Sequence, residues 1–472
     1  MMKNTINILL IFAVLTAVSC KDFLETFPPD VVSVNAYYQN EKQATIALNA
    51  CYDNLSSQLD RLYGLGVDAV GIYCGDLARV GRTSDRWNPY EKNAQDGSEK
   101  LVSVIWRECY AGIYRCNLFL EKIDGVEMDA ALKTRMIAEA KFLRAFYFFD
   151  LTRTFGDVPL VTQTLKADES RVARDPKSVV VSQMIQDFTD AIGGLPLKTG
   201  YTSADMGRVT KGAAMAYLTK LYVYEKRWED AILLGQQVVN SGEYGLFDDY
   251  MDNFSVAHEN GIESIFEIQC KSGTDSGEGN AHNDLEGFEG TPNPRGYTAP
   301  FSAYVNTFGL RSDGSDDPRK AFTTQFSIIS PTFYASVKYI EGFSNGKQYD
   351  SDLNYKLMRY SDFLLLYAEA LNESGQTDEA LAMVNTIRQR PSVGMPELTG
   401  LSQAEARQAI RDERKWELGL EGHRFFDLVR WGIAGETIRA LGRRFDDGVH
   451  EVMPLPVSEL DLNPALVQNS GY

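Results

Sequence analysis

Histidine is scarce in this chain: four occur in 472 residues, and His258, His282, His423 and His450 are scattered. That argues against a histidine-built metal centre or catalytic triad. G-x-S-x-G, the phosphate-cradling G-x-x-x-x-G-K, H-E-x-x-H and a complete EF-hand loop are all absent, so the common motif-borne chemistries find no support. Excess positive charge is missing too. A net charge of -18 disfavours nucleic acid or an anionic membrane surface as a direct partner and fits a secreted or surface-exposed body. Cysteine is sparse. Setting Cys20 aside, Cys51, Cys74, Cys109, Cys116 and Cys270 are odd in number and cannot all pair. Cys109 and Cys116 fall on one predicted helix, about 10 Å apart along its axis, too far for a disulfide. No C-x-x-C occurs, so the reading is buried free thiols, with a disulfide among the others left open.

The apolar run at residues 6–18 is too short for a permanent membrane span. It follows Lys3 and ends in Thr16-Ala-Val-Ser-Cys20, so residues 1–19 read as an export leader. What remains has the composition of an ordinary globular protein, 44% hydrophobic and 24% charged, and length enough for a sizeable core.

Residues 26–34, with Pro28-Pro29, read as an extended tether. Helical periodicity runs over residues 41–59, 101–123 and 129–155, the last stopped by Gly156 and Pro159. Residues 63–97 are glycine-rich and polar, with Tyr73, Trp87 and Tyr90, and read as an ordered surface loop region. Two stretches fit helix–turn–helix units of tetratricopeptide type. One carries Leu218, Tyr222, Trp228 and Ala231; the other Leu364, Tyr367, Ala368, Gly375, Ala380 and Ile387. Their separation predicts scattered hairpins in one scaffold and not a contiguous solenoid. Residues 244–352 lose the periodicity, apart from a strand candidate at 262–268. The loop at 273–296 is of a length usually functional or disordered.

The most informative stretch is residues 410–432, IRDERKWELGLEGHRFFDLVRWG. Glu413, Glu417 and Glu421 recur every fourth residue, which predicts one carboxylate stripe on a helix ended by Gly422. Arg414 can reach Glu417 along that helix, and a turn at Gly422 could bring Arg424 and Arg430 towards the same carboxylates. A metal or acid–base site is one reading. The alternation of arginine with glutamate, without His–Glu metal spacing, favours the other, a partly buried Arg–Glu clamp.

This stretch resembles the C-terminal signature of the SusD/RagB family, surface nutrient-binding lipoproteins of Bacteroidetes. The ending from Met453-Pro-Leu-Pro through Asn463-Pro464 and Gln468-Asn469 to Tyr472 is similar to the family's usual ending, with Ser470 where proline is usual. The run Ala138-Glu-Ala-Lys-Phe-Leu-Arg-Ala-Phe-Tyr-Phe-Phe-Asp-Leu, followed by Gly156-Asp-Val-Pro159, resembles a second signature, and Thr16-Ala-Val-Ser-Cys20 a bacterial lipobox. The resemblance implies cleavage before Cys20, lipid on that residue, a tether to residue 34, and one SusD-like domain over residues 35–472. Lys21-Asp-Phe-Leu-Glu25 resembles an acidic surface-sorting tag. The implied fold is mostly α: tetratricopeptide-like hairpins form a scaffold, and a loop-rich, irregular α/β excursion at about 244–352 carries the binding face. The implied function is capture of a nutrient glycan at the outer-membrane surface and its delivery to a SusC-like TonB-dependent transporter. Neither catalysis nor a cofactor is implied, and a structural calcium ion on oxygen ligands is left open.

Carbohydrate sites pair an aromatic platform for the apolar face of a pyranose with polar groups that fix its hydroxyls. Arg82, Trp87, Asn88 and Tyr90 supply that mixture in one loop, and Tyr297, Tyr304 and Tyr334 could complete it from another segment. Two other classes compete. A tetratricopeptide adaptor would explain the hairpins but not the aromatic-dotted insertions. A surface glycoside hydrolase could hide a carboxylate pair among Glu263, Glu267, Asp275, Glu278, Asp284, Glu286 and Glu289.

Overall fold

The computed structural model describes residues 37–64, 66–81, 88–273, 278–282, 297–326, 334–341 and 349–472. The leader, Cys20, the tether, Arg82, Trp87 and most of the 273–296 loop lie outside them.

Eleven helices carry the argument: α1 (Glu41–Asp53), α2 (Val67–Tyr73), α3 (Lys100–Lys122), α4 (Ala130–Phe155), α5 (Lys177–Gly194), α6 (Lys211–Tyr224), α7 (Trp228–Asn240), α8 (Tyr360–Glu373), α9 (Thr377–Arg388), α10 (Gln403–Glu417) and α11 (Arg424–Arg430). Four of them start on a side-chain cap, Asn40, Asp129, Thr210 and Ser402. The Asp129 carboxylate accepts from the Leu132 amide at the head of α4, and Ser402 with Glu405 forms a reciprocal capping box on α10. From Met136 onward α4 is buried almost all round, because α3, α5 and α6 all pack on it. Its Phe142 and Phe146 meet Phe188, Tyr217 and Phe266 edge to face, which centres one aromatic core on this helix.

Each helix packs on the next in space, α3 on α4, α4 on α5, α5 on α6, α6 on α7, α7 on α8 and α8 on α9. The two tetratricopeptide-like hairpins, α6–α7 and α8–α9, are therefore neighbours, and Val223, Ala231, Leu366 and Ala370 close a small core between them. This corrects the expectation of scattered hairpins. The intervening residues loop out, and the scaffold is continuous across the gap.

The two hairpin turns differ at one position. In the second, Gly375 takes φ +83°; in the first, the exposed Lys226 sits at φ +56°. Left-handed backbone costs a side-chain-bearing residue about 1 kcal/mol, part of which glycine returns through a freer unfolded chain. Lys226→Gly should therefore raise stability by about 0.5–1 kcal/mol in urea titration. A loss would show that the turn is not strained.

Two other expectations change. The apolar pattern of residues 41–59 yields a helix only to Asp53, after which Asn54 turns the chain. The described residues of 63–97 are not all surface loop: every residue of α2 is buried. The reason is close backbone approach, since a Cβ on Gly71 would come within 1.8 Å of the Gly422 carbonyl oxygen.

The strands are short and pair antiparallel: β1 (Ala78–Val80) with β3 (Thr298–Pro300), β2 (Ser264–Ile268) with β6 (Tyr355–Arg359), and β4 (Thr324–Phe326) with β5 (Tyr334–Ser336). β2 bears out the strand expected at 262–268. β6 runs straight into α8, so the excursion rejoins the scaffold at Arg359.

Candidate functional site

Arg359 opens the charged centre of the molecule. Its guanidinium donates to Glu263 at 2.8 Å, Glu417 at 2.9 Å and Glu421 at 2.8 Å. Arg390 also bridges Glu263 and Glu417, each at 3.0 Å, and Arg319 joins Asp317, Glu413 and Glu417. Arg388 pairs with Glu413 at 2.9 Å, and Lys338 with Glu421 at 2.7 Å. Five carboxylates and five cations thus neutralise one another while almost entirely buried. Tyr250 lies among them, its hydroxyl donating to the Glu417 carbonyl at 2.9 Å and its ring about 5.4–5.7 Å from Lys338, Arg390 and Arg359.

Burial alone would raise the Glu417 and Glu421 carboxyls. Arg390, Arg359 and Arg319 beside the first, and Arg359 with Lys338 beside the second, outweigh it and hold both below the ordinary carboxylate range. Every carboxylate here is spoken for by a cation, so the stripe is a structural clamp.

Its wiring differs from the sequence expectation. α10 ends at Glu417, and Glu421 follows in a turn where Leu420 has φ +70°, so the stripe is not one helical face. Arg414 turns away from Glu417 to Asp362 at 2.8 Å and Asp427 at 2.9 Å. Arg424 pairs with Asp76 at 2.7 Å, and Arg430 with Glu369 and Asp427, so neither joins the stripe. The true partners, Arg319, Lys338, Arg359, Arg388 and Arg390, come from the excursion and from the end of α9. The clamp therefore bolts the excursion to the scaffold.

The excursion positions the surface candidates. The Gly81 amide donates to the Tyr297 carbonyl at 2.7 Å, extending the β1–β3 pair, and the Val80 amide donates to the Glu91 carboxylate at 2.9 Å. Gly81 and Glu91 are thereby both tied to one strand edge beside Tyr297. β3 also packs against β5, so Tyr334 belongs to the same group of strands. Directly across the β4–β5 ladder, Phe326 stacks on Tyr334 with centroids 4.4 Å apart and planes at 23°. Phe326 is 61% exposed and Tyr334 half-buried, an aromatic surface open to solvent.

The structure sorts the other candidates. Asn88 begins a helical turn and is partly exposed, and Tyr297 is partly buried against the core. Tyr90 is fully buried, and Tyr304 is 3% exposed with its hydroxyl donating to the Lys415 carbonyl at 3.2 Å. Both are withdrawn as platforms: their rings are core packing. Glu263 and Glu267 are likewise buried on cations, Arg359 and Lys356. Phe326 was missed. Its only sequence signal is an aromatic in a polar run, and its face depends on a hairpin register that no local pattern reveals.

A stacked helical-hairpin scaffold with an irregular insert bolted on by a buried charge lattice, and aromatics open on that insert, defines a helical-repeat binding protein. The SusD family model matches residues 318–472, and the model described as "Starch-binding associating with outer membrane" matches residues 30–223. The chain belongs to the SusD/RagB family. It is 27% identical to SusD-like protein P25 of Formosa agariphila over 100% of both chains. Among solved structures, it is similar to a laminarin-binding SusD-like protein at 29% identity and TM-score 0.80, covering 92% of this chain and 100% of the other. A SusD homolog from Bacteroides thetaiotaomicron gives 26% identity and TM-score 0.82 over 93% and 98%.

Proposed function

We propose that this protein is a cell-surface lipoprotein, anchored through Cys20, that captures a glycan on the Phe326–Tyr334 face and passes it to a SusC-like TonB-dependent transporter. The observation that carries the reading is the exposed aromatic stack on the group of strands to which Gly81 and Glu91 are tied. A solvent-facing stack of this kind costs solubility, and it suits the flat apolar face of a sugar ring. The laminarin-binding relative supports laminarin as the first ligand to try. The relatives' names as binding proteins support capture without turnover. The family description supports association with the outer membrane, and no helix among the described residues is long and apolar enough to cross a membrane. Arg82, Trp87, Asn88 and Tyr297 complete the proposed site.

The test uses mature protein carrying Cys20→Ser, titrated with laminarin and a panel of other polysaccharides. Phe326→Ala and Tyr334→Ala should each weaken binding of the retained glycan at least about tenfold, equivalent to roughly 1.4 kcal/mol, with unchanged thermal unfolding. Trp87→Ala tests the neighbouring loop in the same way. Unchanged affinity in all three variants would remove the site and keep the function. Retention of no polysaccharide would overturn glycan capture, and release of shorter products would make the protein an enzyme.

A further inference from the structure

A cleft of about 740 Å³ opens between the end of α1, Arg115 of α3, the 204–208 connection and the end of β2. It shares no lining residue with the Phe326–Tyr334 face. Its walls mix chemistries: Phe266 and the exposed Met206 are apolar, Asn49 and Gln58 offer amides, and Arg61 and Arg115 bring positive charge. The other charges of the lining are matched. Arg208 is held by Glu139 and Asp205, Lys271 by Asp352 at 3.0 Å, and Glu267 by Lys356, while Glu278 lies across a β-bridge from Lys271. The Arg61–Arg115 end is different. Arg115 at 2.8 Å and Arg61 at 3.3 Å meet the same Asp53 oxygen, Oδ2. Arg61 also reaches Glu108 at 3.3 Å, which Arg107 already holds at 3.0 Å. Three guanidiniums thus share two carboxylates, in a chain whose net charge is -18. Among the described residues Arg115 hydrogen-bonds through Nη1 alone and Arg61 through Nη2 alone, and each side chain is about one-third exposed. Both therefore keep N–H donors for a ligand.

We propose that this cleft is a second binding site, separate from the aromatic face, and that it takes a short carboxylated oligosaccharide such as a uronic-acid chain. The ligand's carboxylate sits on Arg61 and Arg115, whose planar donors match it, and competes there with Asp53. Its hydroxyls meet the amides of Asn49 and Gln58, and the apolar face of a ring lies against Met206 and Phe266. Small-molecule sites typically span about 300–1,000 Å³, so the cleft is far too roomy for an inorganic anion alone and suits a chain of a few rings. The saccharide as carrier of the carboxylate rests on the capture reading above; the preference for an anion rests on the guanidiniums.

The test titrates mature Cys20→Ser protein with trisaccharides of galacturonate, mannuronate and guluronate, each beside its carboxyl-reduced counterpart. At least one acid should bind, at least about tenfold tighter than its reduced form. Arg61→Gln and Arg115→Gln should each weaken that binding about tenfold, while Phe326→Ala leaves it unchanged. Asp53→Asn should strengthen it about threefold, because the ligand's internal competitor is gone. A merely structural ion pair predicts no such gain, so this variant separates recognition from folding. No acid bound, equal binding of an acid and its reduced form, or unchanged or weaker binding in Asp53→Asn would overturn the site. So would acid binding that Phe326→Ala abolishes and the arginine variants keep. Laminarin titrated into the same samples tests the aromatic face separately: its failure beside intact acid binding would count against that face and leave the cleft standing.

Discussion

Arg359→Ala should cost about 4 kcal/mol of folding stability, enough to leave much of the expressed protein insoluble. The guanidinium serves Glu263, Glu417 and Glu421 together, and none of these carboxylates has solvent to fall back on. Removing one partner of a buried ion pair leaves uncompensated charge, which typically costs about 3–5 kcal/mol, far more than the net worth of the pair itself. Arg390 would remain beside Glu263 and Glu417, Arg319 beside Glu417 and Lys338 beside Glu421, so the five buried carboxylates of the lattice would keep four cations. The damage should also reach the surface. β6 ends at Arg359, and Asp317, Arg319 and Lys338 hang the excursion on the same lattice, so surviving soluble protein should lose glycan affinity although Phe326 and Tyr334 are untouched. Urea unfolding of wild type and Arg359→Ala, with Arg359→Lys as an intermediate case, measures the effect. A difference below about 1 kcal/mol would mean that the lattice is dispensable.

The second large effect depends on pH. His423 is buried beside Lys220 and Arg414, with Asp362 and Glu421 as the nearby carboxylates; burial holds its pKa down at about 4 against an ordinary 6.5. The unfolded chain therefore takes up a proton before the folded one. As pH falls below 6.5 stability declines, and the decline is complete near pH 4, amounting to roughly 3 kcal/mol. Glu259 works in the opposite direction: burial raises its carboxyl to about 7, so the folded state gains as pH falls through 7 towards 4.5. Glu259, only partly buried, offsets part of the His423 loss in the raw wild-type curve. The contribution of His423 emerges as a difference, in which His423→Gln should lose about 3 kcal/mol less than wild type between pH 7 and pH 4. Equal losses in the two proteins would mean that the imidazole is solvated. Glu417 and Glu421, held low in the fold, add their own loss below pH 4.5, outside most of this window.

Much of the scaffold was legible because helices advertise themselves locally. Helix stops such as Gly156 and Pro159, 3.6-residue periodicity and small residues at hairpin contacts are all set within about fifteen positions of one another, and α3, α4 and α6 to α9 came out close to expectation. The clamp was half legible. Glu413, Glu417 and Glu421 were picked out, and four-residue spacing with interleaved arginines suggested neutralisation. Which arginines neutralise them was not, because Arg319 and Arg359 are 94 and 62 residues away from Glu413 and Glu421. Sequence proximity favoured Arg414 and Arg424, but the helix sends Arg414 to Asp362 and the turn sends Arg424 to Asp76.

The aromatic site was the least legible part. Tyr90, Tyr304 and Tyr334 look alike in sequence, and packing makes the first two core and leaves the third partly open. Phe326 reads as an ordinary apolar residue until the β4–β5 register places it across from Tyr334.

The sequence by itself determined the helical class, the hairpins, the three glutamates of the clamp and the family resemblance, because each rests on spacing along a short stretch. Only the tertiary structure decided that the hairpins stack, that the clamp joins excursion to scaffold, and which aromatics face water. Those outcomes depend on how distant segments dock, and a charge or a ring is assigned its partner by docking alone.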